Sequence, residues 1–134
     1  MVPTQVREAL VQAAIDVRQR AYAKYSNFLV GAAILAADGN IYTGCNVENS
    51  SYGLTICAER AAVFAAIAAG QQRFQLLAIA TAGGGTPCGA CRQVLAEFAP
   101  ELQILLIDIN QPRPIVEVNL RDLLPQAFTL NPEP

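Results

Sequence analysis

Cys57-Ala58-Glu59-Arg60 and Pro87-Cys88-Gly89-Ala90-Cys91 each open a predicted helix, and Leu76–Ala82 lies between them as an apolar run. The segment reads as helix, buried strand, helix. The first helix starts near Cys57, runs through Ala-rich sequence and ends at Gly70, a residue suited to a helix C-terminus. The second spans about Gly89 to Phe98 and stops before Pro100. Entry into both helices from the C-terminal ends of strands brings their first residues to one end of the sheet. Three cysteines and a glutamate are therefore expected near one another.

The flanking sequence completes the fold. A helix is expected from Thr4, read as its N-cap, to Tyr22, because Val6, Ala9, Leu10, Ala13, Ala14, Val17 and Ala21 recur at helical spacing. Leu29–Ala37 is a continuous apolar run and reads as a buried strand. Asp38-Gly39-Asn40 turns the chain, and Ile41–Cys45 returns as the second arm of a hairpin. Residues 46–56 read as a polar loop. Leu102–Ile109 and Ile115–Asn119 are further strands, with Pro112 and Pro114 in the turn between them. Leu120–Leu124 is a last short helix, followed by an extended tail. Buried strands alternating with helices predict an α/β protein, a three-layer α/β/α sandwich around a mixed five-stranded sheet. Residues 1–134 read as a single domain.

Composition narrows the function. The chain is 53% hydrophobic and 15% charged, where globular proteins carry roughly 25% charged residues. Subunit interfaces account for such an apolar excess. Net charge is −2, and no Lys/Arg run is present. A surface that grips nucleic-acid phosphates is basic, so a small-molecule ligand is expected and a nucleic-acid polymer is not. No apolar segment reaches the roughly 20 residues a bilayer needs, and Met1–Gln5 lacks the start of a secretory signal. The expectation is a cytoplasmic protein without membrane attachment. In a reducing cytosol, four cysteines point to metal or catalysis rather than disulfides.

The chemistry follows from the sulfurs. Catalytic zinc keeps three protein ligands and leaves its fourth position to water. Cys88 and Cys91, at C-x-x-C spacing, can bind one ion from a single helical turn, and Cys57 supplies a third sulfur. Helix N-termini favour thiolate over thiol. Three thiolates exceed the charge of one Zn²⁺, so a compensating cation is expected. Arg60, beside Glu59, is the first candidate and Arg92 the second. Glu59 is placed as the proton shuttle between water and a substrate. Cys45 reads as a small hydrophobic residue. The alternative, a closed structural site of Cys45, Cys57, Cys88 and Cys91, lacks the two close cysteine pairs usual in such sites.

The pattern resembles the P-C-x-x-C signature, with a glutamate near the first ligand, of zinc nucleobase deaminases. More closely, the chain is similar to the small homotetrameric cytidine deaminases over nearly its whole length. Tyr25–Ala33, Gly44–Asn49, Cys57–Arg60, Pro87–Gln93 and Leu123–Phe128 carry the resemblance, in register. It implies one zinc per subunit on Cys57, Cys88 and Cys91, with Glu59 as proton donor and acceptor. It implies that Asn46 and Glu48 bind the ribose hydroxyls and that Phe28 packs on the pyrimidine. Asn49, Tyr52 and Ala58 complete the implied substrate-binding set, and Phe128 would reach a neighbouring subunit's site. The Gly83-Gly84-Gly85-Thr86 connection departs from the family and is read as touching no motif. The implied activity is hydrolytic deamination of cytidine and deoxycytidine. Deamination of another amino-pyrimidine such as blasticidin S, editing of nucleic acid, and a zinc-stabilised binding module stay open as alternatives.

Overall fold

The computed structural model describes residues 2–130, and the expected tail beyond Leu130 lies outside them. Helix α1 spans Thr4–Arg18. Pro3, not Thr4, is its N-cap: Pro3 is extended and its carbonyl accepts from the Arg7 N–H at 3.0 Å, so the helix begins one residue earlier than a Thr4 cap would allow. The helix also stops before Tyr22. The N–H groups of Arg20 and Ala21 bond back three residues, tightening the last turn, and the Tyr22 N–H leaves to meet the Asn46 carbonyl at 2.9 Å. A tertiary bridge therefore overrides the helical periodicity.

Strand β1 (Gly31–Ala36) is buried throughout, and β2 (Ile41–Cys45) pairs with it antiparallel across the Asp38–Asn40 turn. Helix α2 (Ala58–Ala68) leads to β3 (Phe74–Thr81), and α3 (Gly89–Phe98) leads to β4 (Gln103–Asp108). Strand β5 (Val116–Asn119) and the short α4 (Leu120–Leu123) follow. The sheet order is β2-β1-β3-β4-β5. Only β3 and β4 run parallel, so the five-stranded sheet is mixed, as expected. Residues 46–56 are more ordered than a plain loop. Val47 bridges to both Tyr22 and Ile56, and Tyr52–Leu54 forms one 3-10 turn.

Each face of the sheet has its own apolar layer. Leu10, Val11 and Ala14 of α1 pack with Ala33, Leu35, Ala78, Ala80 and Leu105. On the opposite face Ala58, Ala62, Val63 and Ala66 of α2 and Leu95 of α3 pack with Ile34, Leu77, Ile79 and Ile104. This is the α/β/α sandwich. Successive residues of the central strands join opposite layers, following the two-residue repeat of a strand.

Two glycines permit close approach of helix to sheet. A Cβ on Gly31 would lie 2.0 Å from the Ala14 carbonyl oxygen in α1. A Cβ on Gly44 would lie 2.4 Å from the Ala62 nitrogen and 2.7 Å from the Ala58 carbonyl oxygen in α2. Both obstacles are backbone, so neither can rotate away. Gly44→Ala is expected to lower stability by about 1–3 kcal/mol through overpacking, read as an earlier urea midpoint at unchanged slope. A wild-type midpoint would show that α2 can move off the strand freely.

Candidate metal centre and substrate cavity

Strand pairing brings the required ends together. Gly31 at the start of β1 lies opposite Cys45 at the end of β2 and Ala80 near the end of β3, while Thr81 pairs with Asp108 at the end of β4. Helices α2 and α3 begin at this same end. Cys57 is the N-cap of α2 and Cys88 the N-cap of α3, and Cys91 lies in the first turn of α3.

Their Sγ atoms all lie within 4.8 Å of one another. Cys57 to Cys88 is 3.8 Å, and Cys88 to Cys91 is 3.5 Å. Zn–S bonds of about 2.3 Å in tetrahedral array separate sulfurs by about 3.8 Å, so the cluster fits one zinc ion per chain. Cys45 is outside the group. It ends β2 opposite Gly31 and is half-buried. The four-sulfur alternative therefore has no fourth sulfur here.

The two arginine candidates separate. Arg60 Nη2 donates to Cys57 Sγ at 3.4 Å. Arg92 makes no such contact: its guanidinium donates to the Pro87 carbonyl, the Leu123 carbonyl and Thr86 Oγ1. Its side chain turns toward the preceding loop and α4, which adjacency to Cys91 in sequence could not reveal. The Cys57 thiol is pushed down to about 5, chiefly by hydrogen bonding to Cys91, with Arg60 and Cys88 adding to it. The same Cys57–Cys91 contact, together with burial, pushes Cys91 up. Of that pair Cys57 is the thiolate, and metal binding displaces the remaining proton.

Glu59 lies two residues beyond Cys57 and is only 5% exposed. Burial raises its carboxyl to about 7; the Cys57 charge adds to the rise and Arg60 opposes it. Glu59 faces a cavity of about 400 Å³ that Cys57, Ala58, Cys88, Phe28, Asn46 and Glu48 also line. Ligand sites commonly fall in roughly 300–1,000 Å³. Among the described residues, no lysine or arginine lines it.

At the outer rim, Glu48 accepts from the Ser26 hydroxyl and from the backbone N–H groups of Tyr25 and Ser26. These bonds, the Ser26 hydroxyl first, hold its carboxyl below the usual range. Asn46 is buried and spans the strand entry: Nδ2 donates to the Phe28 carbonyl at 2.8 Å, and Oδ1 accepts from the Val30 N–H at 2.9 Å. Phe28 is 46% exposed at the cavity mouth.

Three of the expected residues lie apart from this cavity. Tyr52 lines an adjoining cleft with Tyr25, sharing Ser26, Glu48 and Thr55 with the main one, and the two tyrosine rings meet edge to face at 5.9 Å. Asn49 is exposed, its Oδ1 accepting from the Ser51 N–H. Phe128 is exposed and outside the cavity of its own chain, with its carbonyl accepting from Gln93.

The glycine-rich connection does touch the site, contrary to expectation. Gly85 and Thr86 line the cavity, and Thr81 Oγ1 accepts from the Gly85 N–H at 3.1 Å. Ser26, Val30, Thr55, Ile79 and Thr81 line it as well. A signal existed for Ser26 and Val30, which lie inside the Tyr25–Ala33 motif, and a weaker one for Thr86, which adjoins Pro87–Gln93. None existed for Ile79 and Thr81, which read simply as buried strand.

Residues 4–106 match the family model for the cytidine and deoxycytidylate deaminase zinc-binding region. The chain is 47% identical to a cytidine deaminase of Sporosarcina psychrophila, covering 91% of this chain and 90% of that one. It is 45% identical to a cytidine deaminase of Halalkalibacterium halodurans, over 92% of this chain and 94% of the relative. The crystal structure of a cytidine deaminase from Burkholderia pseudomallei superposes with a TM-score of 0.85 at 47% identity, covering 90% of this chain and 98% of the other.

Purified protein is expected to carry one zinc per chain by elemental analysis. Cys88→Ala should lose that zinc, while Cys45→Ala should keep it. Full zinc in the Cys88 variant, or its loss from the Cys45 variant, would contradict the ligand set.

Proposed function

The chain belongs to the cytidine and deoxycytidylate deaminase family, and from that premise we propose that it hydrolyses cytidine and deoxycytidine to uridine and deoxyuridine, releasing ammonia. The observation that carries this reading is a buried glutamate facing a cavity beside three clustered sulfurs. Cys57, Cys88 and Cys91 hold the zinc. Zinc bound there supplies a Lewis acid that makes water a competent nucleophile near neutral pH.

Glu59 moves the protons. Its carboxylate takes one from the attacking water and hands it to the pyrimidine ring nitrogen as oxygen bonds to the carbon bearing the amine. The hydroxyl proton of that tetrahedral adduct then passes through the same carboxyl to the amine. The carbon–nitrogen bond breaks, ammonia leaves and a carbonyl remains. A carboxyl raised to about 7 suits both halves, since a shuttle works best near the ambient pH. The N–H of Ala58, in the first turn of α2, and the face of Phe28 complete the surroundings of the base.

Glu48, ionised and held by Ser26 and two backbone N–H groups, accepts from a sugar hydroxyl. Asn46 retains one N–H and one lone pair beyond those it spends on Phe28 and Val30, and these face the same sugar. Among the described residues, two carboxylates and no lysine or arginine line the cavity, which favours a neutral nucleoside over its charged 5′-phosphate. Asn49, Tyr52 and Phe128 act at the rim or across a subunit boundary. Residues 1–134 form one catalytic domain. The assembly is a homotetramer, supported by exposed Tyr22, Phe28, Tyr52, Leu54 and Phe128 and by the low share of charged residues. No helix among the described residues is long and apolar enough to cross a membrane. Four unpaired thiols suit the cytoplasm.

Glu59→Gln should keep its zinc and lose about 10²–10⁴ in kcat, the range set by general acid–base catalysis, followed through the fall in cytidine absorbance. Near-wild-type turnover would remove Glu59 from the mechanism. In a substrate panel, cytidine and deoxycytidine should be consumed ahead of deoxycytidylate and blasticidin S. Preference for either of the latter would reassign the substrate.

A further inference from the structure

Arg92 has three directed contacts that neither the zinc nor the substrate explains. Its Nε donates to the Pro87 carbonyl at 2.7 Å, Nη1 to the Leu123 carbonyl at 2.8 Å, and Nη2 to Thr86 Oγ1 at 2.9 Å. Pro87 is the residue immediately before Cys88 and is fully buried. Thr86 is part of the cavity wall. Leu123 ends α4, where helix carbonyls lack intrahelical partners. The Arg92 backbone N–H also donates to the Cys88 carbonyl at 3.0 Å, closing the first turn of α3. One residue thus bonds both sides of the Cys88 linkage, its side chain before the ligand and its backbone after it.

We propose that Arg92 is a positioning residue for the zinc site, its guanidinium fixing the Thr86–Cys88 approach against the end of α4. The segment it holds enters from Gly83, Gly84 and Gly85, and the first two of these have positive φ of 97° and 66°. The glycines are held through their backbone, by Asp108 on the Gly83 N–H and Thr81 on the Gly85 N–H, and these bonds stop short of Thr86 and Pro87, the two residues that Arg92 holds. Arg92 supplies the anchor from a helix rooted in the core by Cys91, Leu95 and Ala96. Planarity is essential to the geometry: three acceptors lie around one rigid fork. A lysine ammonium on a flexible stem cannot reproduce that arrangement. Loss of the fork leaves the Pro87 and Leu123 carbonyls unpaired and frees Cys88 to swing, so the ion should leave faster. Partners that orient metal ligands are worth about 10–100-fold in metal affinity or activity.

The test measures zinc release from the holoenzyme to a chromogenic chelator in wild type, Arg92→Lys, Arg92→Ala and Arg121→Ala. Arg121 is a surface control on α4, ion-paired to Glu101 at 2.6 Å. Release should quicken about 10–100-fold in both Arg92 variants and match wild type in the control. Methylguanidinium added at millimolar concentration should slow release from Arg92→Ala toward wild type and leave Arg92→Lys unchanged, a rescue that general loosening of the fold would not give. Wild-type release from both Arg92 variants overturns the proposal, as does faster release that methylguanidinium fails to slow. The proposal rests on the three sulfurs holding zinc. Wild-type protein without zinc would refute that assignment first, whereas zinc-loaded wild type with unaffected Arg92 variants refutes the brace alone.

Discussion

Backbone contact between α2 and β2 at Gly44 governs where the chemistry sits. With no side chain at that position, the Ala58–Ala62 turn rests directly on the strand. That contact sets the depth of the helix N-terminus, and hence of Cys57, Ala58 and Glu59. The parallel pairing of β3 with β4 does the equivalent for α3, returning the chain so that Cys88 and Cys91 start at the same sheet end. Neither motif makes a site alone. The site arises because two helices on one face of one sheet begin side by side, and because Gly44 lets α2 approach the sheet closely.

Electrostatics at that junction is arranged in layers. Two helix N-termini face the sulfurs with unpaired N–H groups and partial positive charge, which favours thiolate. Arg60 adds a full charge at Cys57. Even so, three thiolates exceed the charge of one Zn²⁺, which places a premium on every cation near the cluster. Arg92, the other arginine close in sequence, is committed elsewhere by its three hydrogen bonds to Pro87, Leu123 and Thr86. The division is physical: one guanidinium moderates charge, while the other supports the backbone that carries a ligand.

The element order and the layer arrangement were legible because they follow from periodicity and from chain punctuation. Gly70 has a positive φ just past α2, and Gly39 has one in the hairpin turn, as expected of glycines there. The zinc ligands were legible because thiol spacing has few other meanings in a chain with no histidine. What failed depends on contacts distant in sequence. Helix α1 ends early because Asn46 captures the Tyr22 N–H. The direction of the Arg92 side chain depends on Leu123, 31 residues away. The cavity role of Gly85 and Thr86 depends on how their loop folds back over the end of β4, where Asp108, 25 residues on, accepts from the Gly83 N–H. Local pattern carries no trace of such partners, which is why the core was readable and the cavity wall was not.

The two carboxylates of the cavity sit in opposite environments. Glu59 has lost most of its water and is shifted upward by burial. Glu48 has lost little, and gains three donors that favour its charged form. The same functional group is thereby poised to exchange a proton at one end and to remain an anion at the other. Environments that push two like groups apart are the usual mark of distinct chemical roles. Here the partition follows the fold: Glu59 is carried inward by the first turn of α2, and Glu48 stays on the rim with the Val47 bridge. Exchanging the two surroundings would put the ionised group beside the sulfurs and the proton-holding one at the rim, so the fold alone sets the polarity of the cavity from its floor to its mouth.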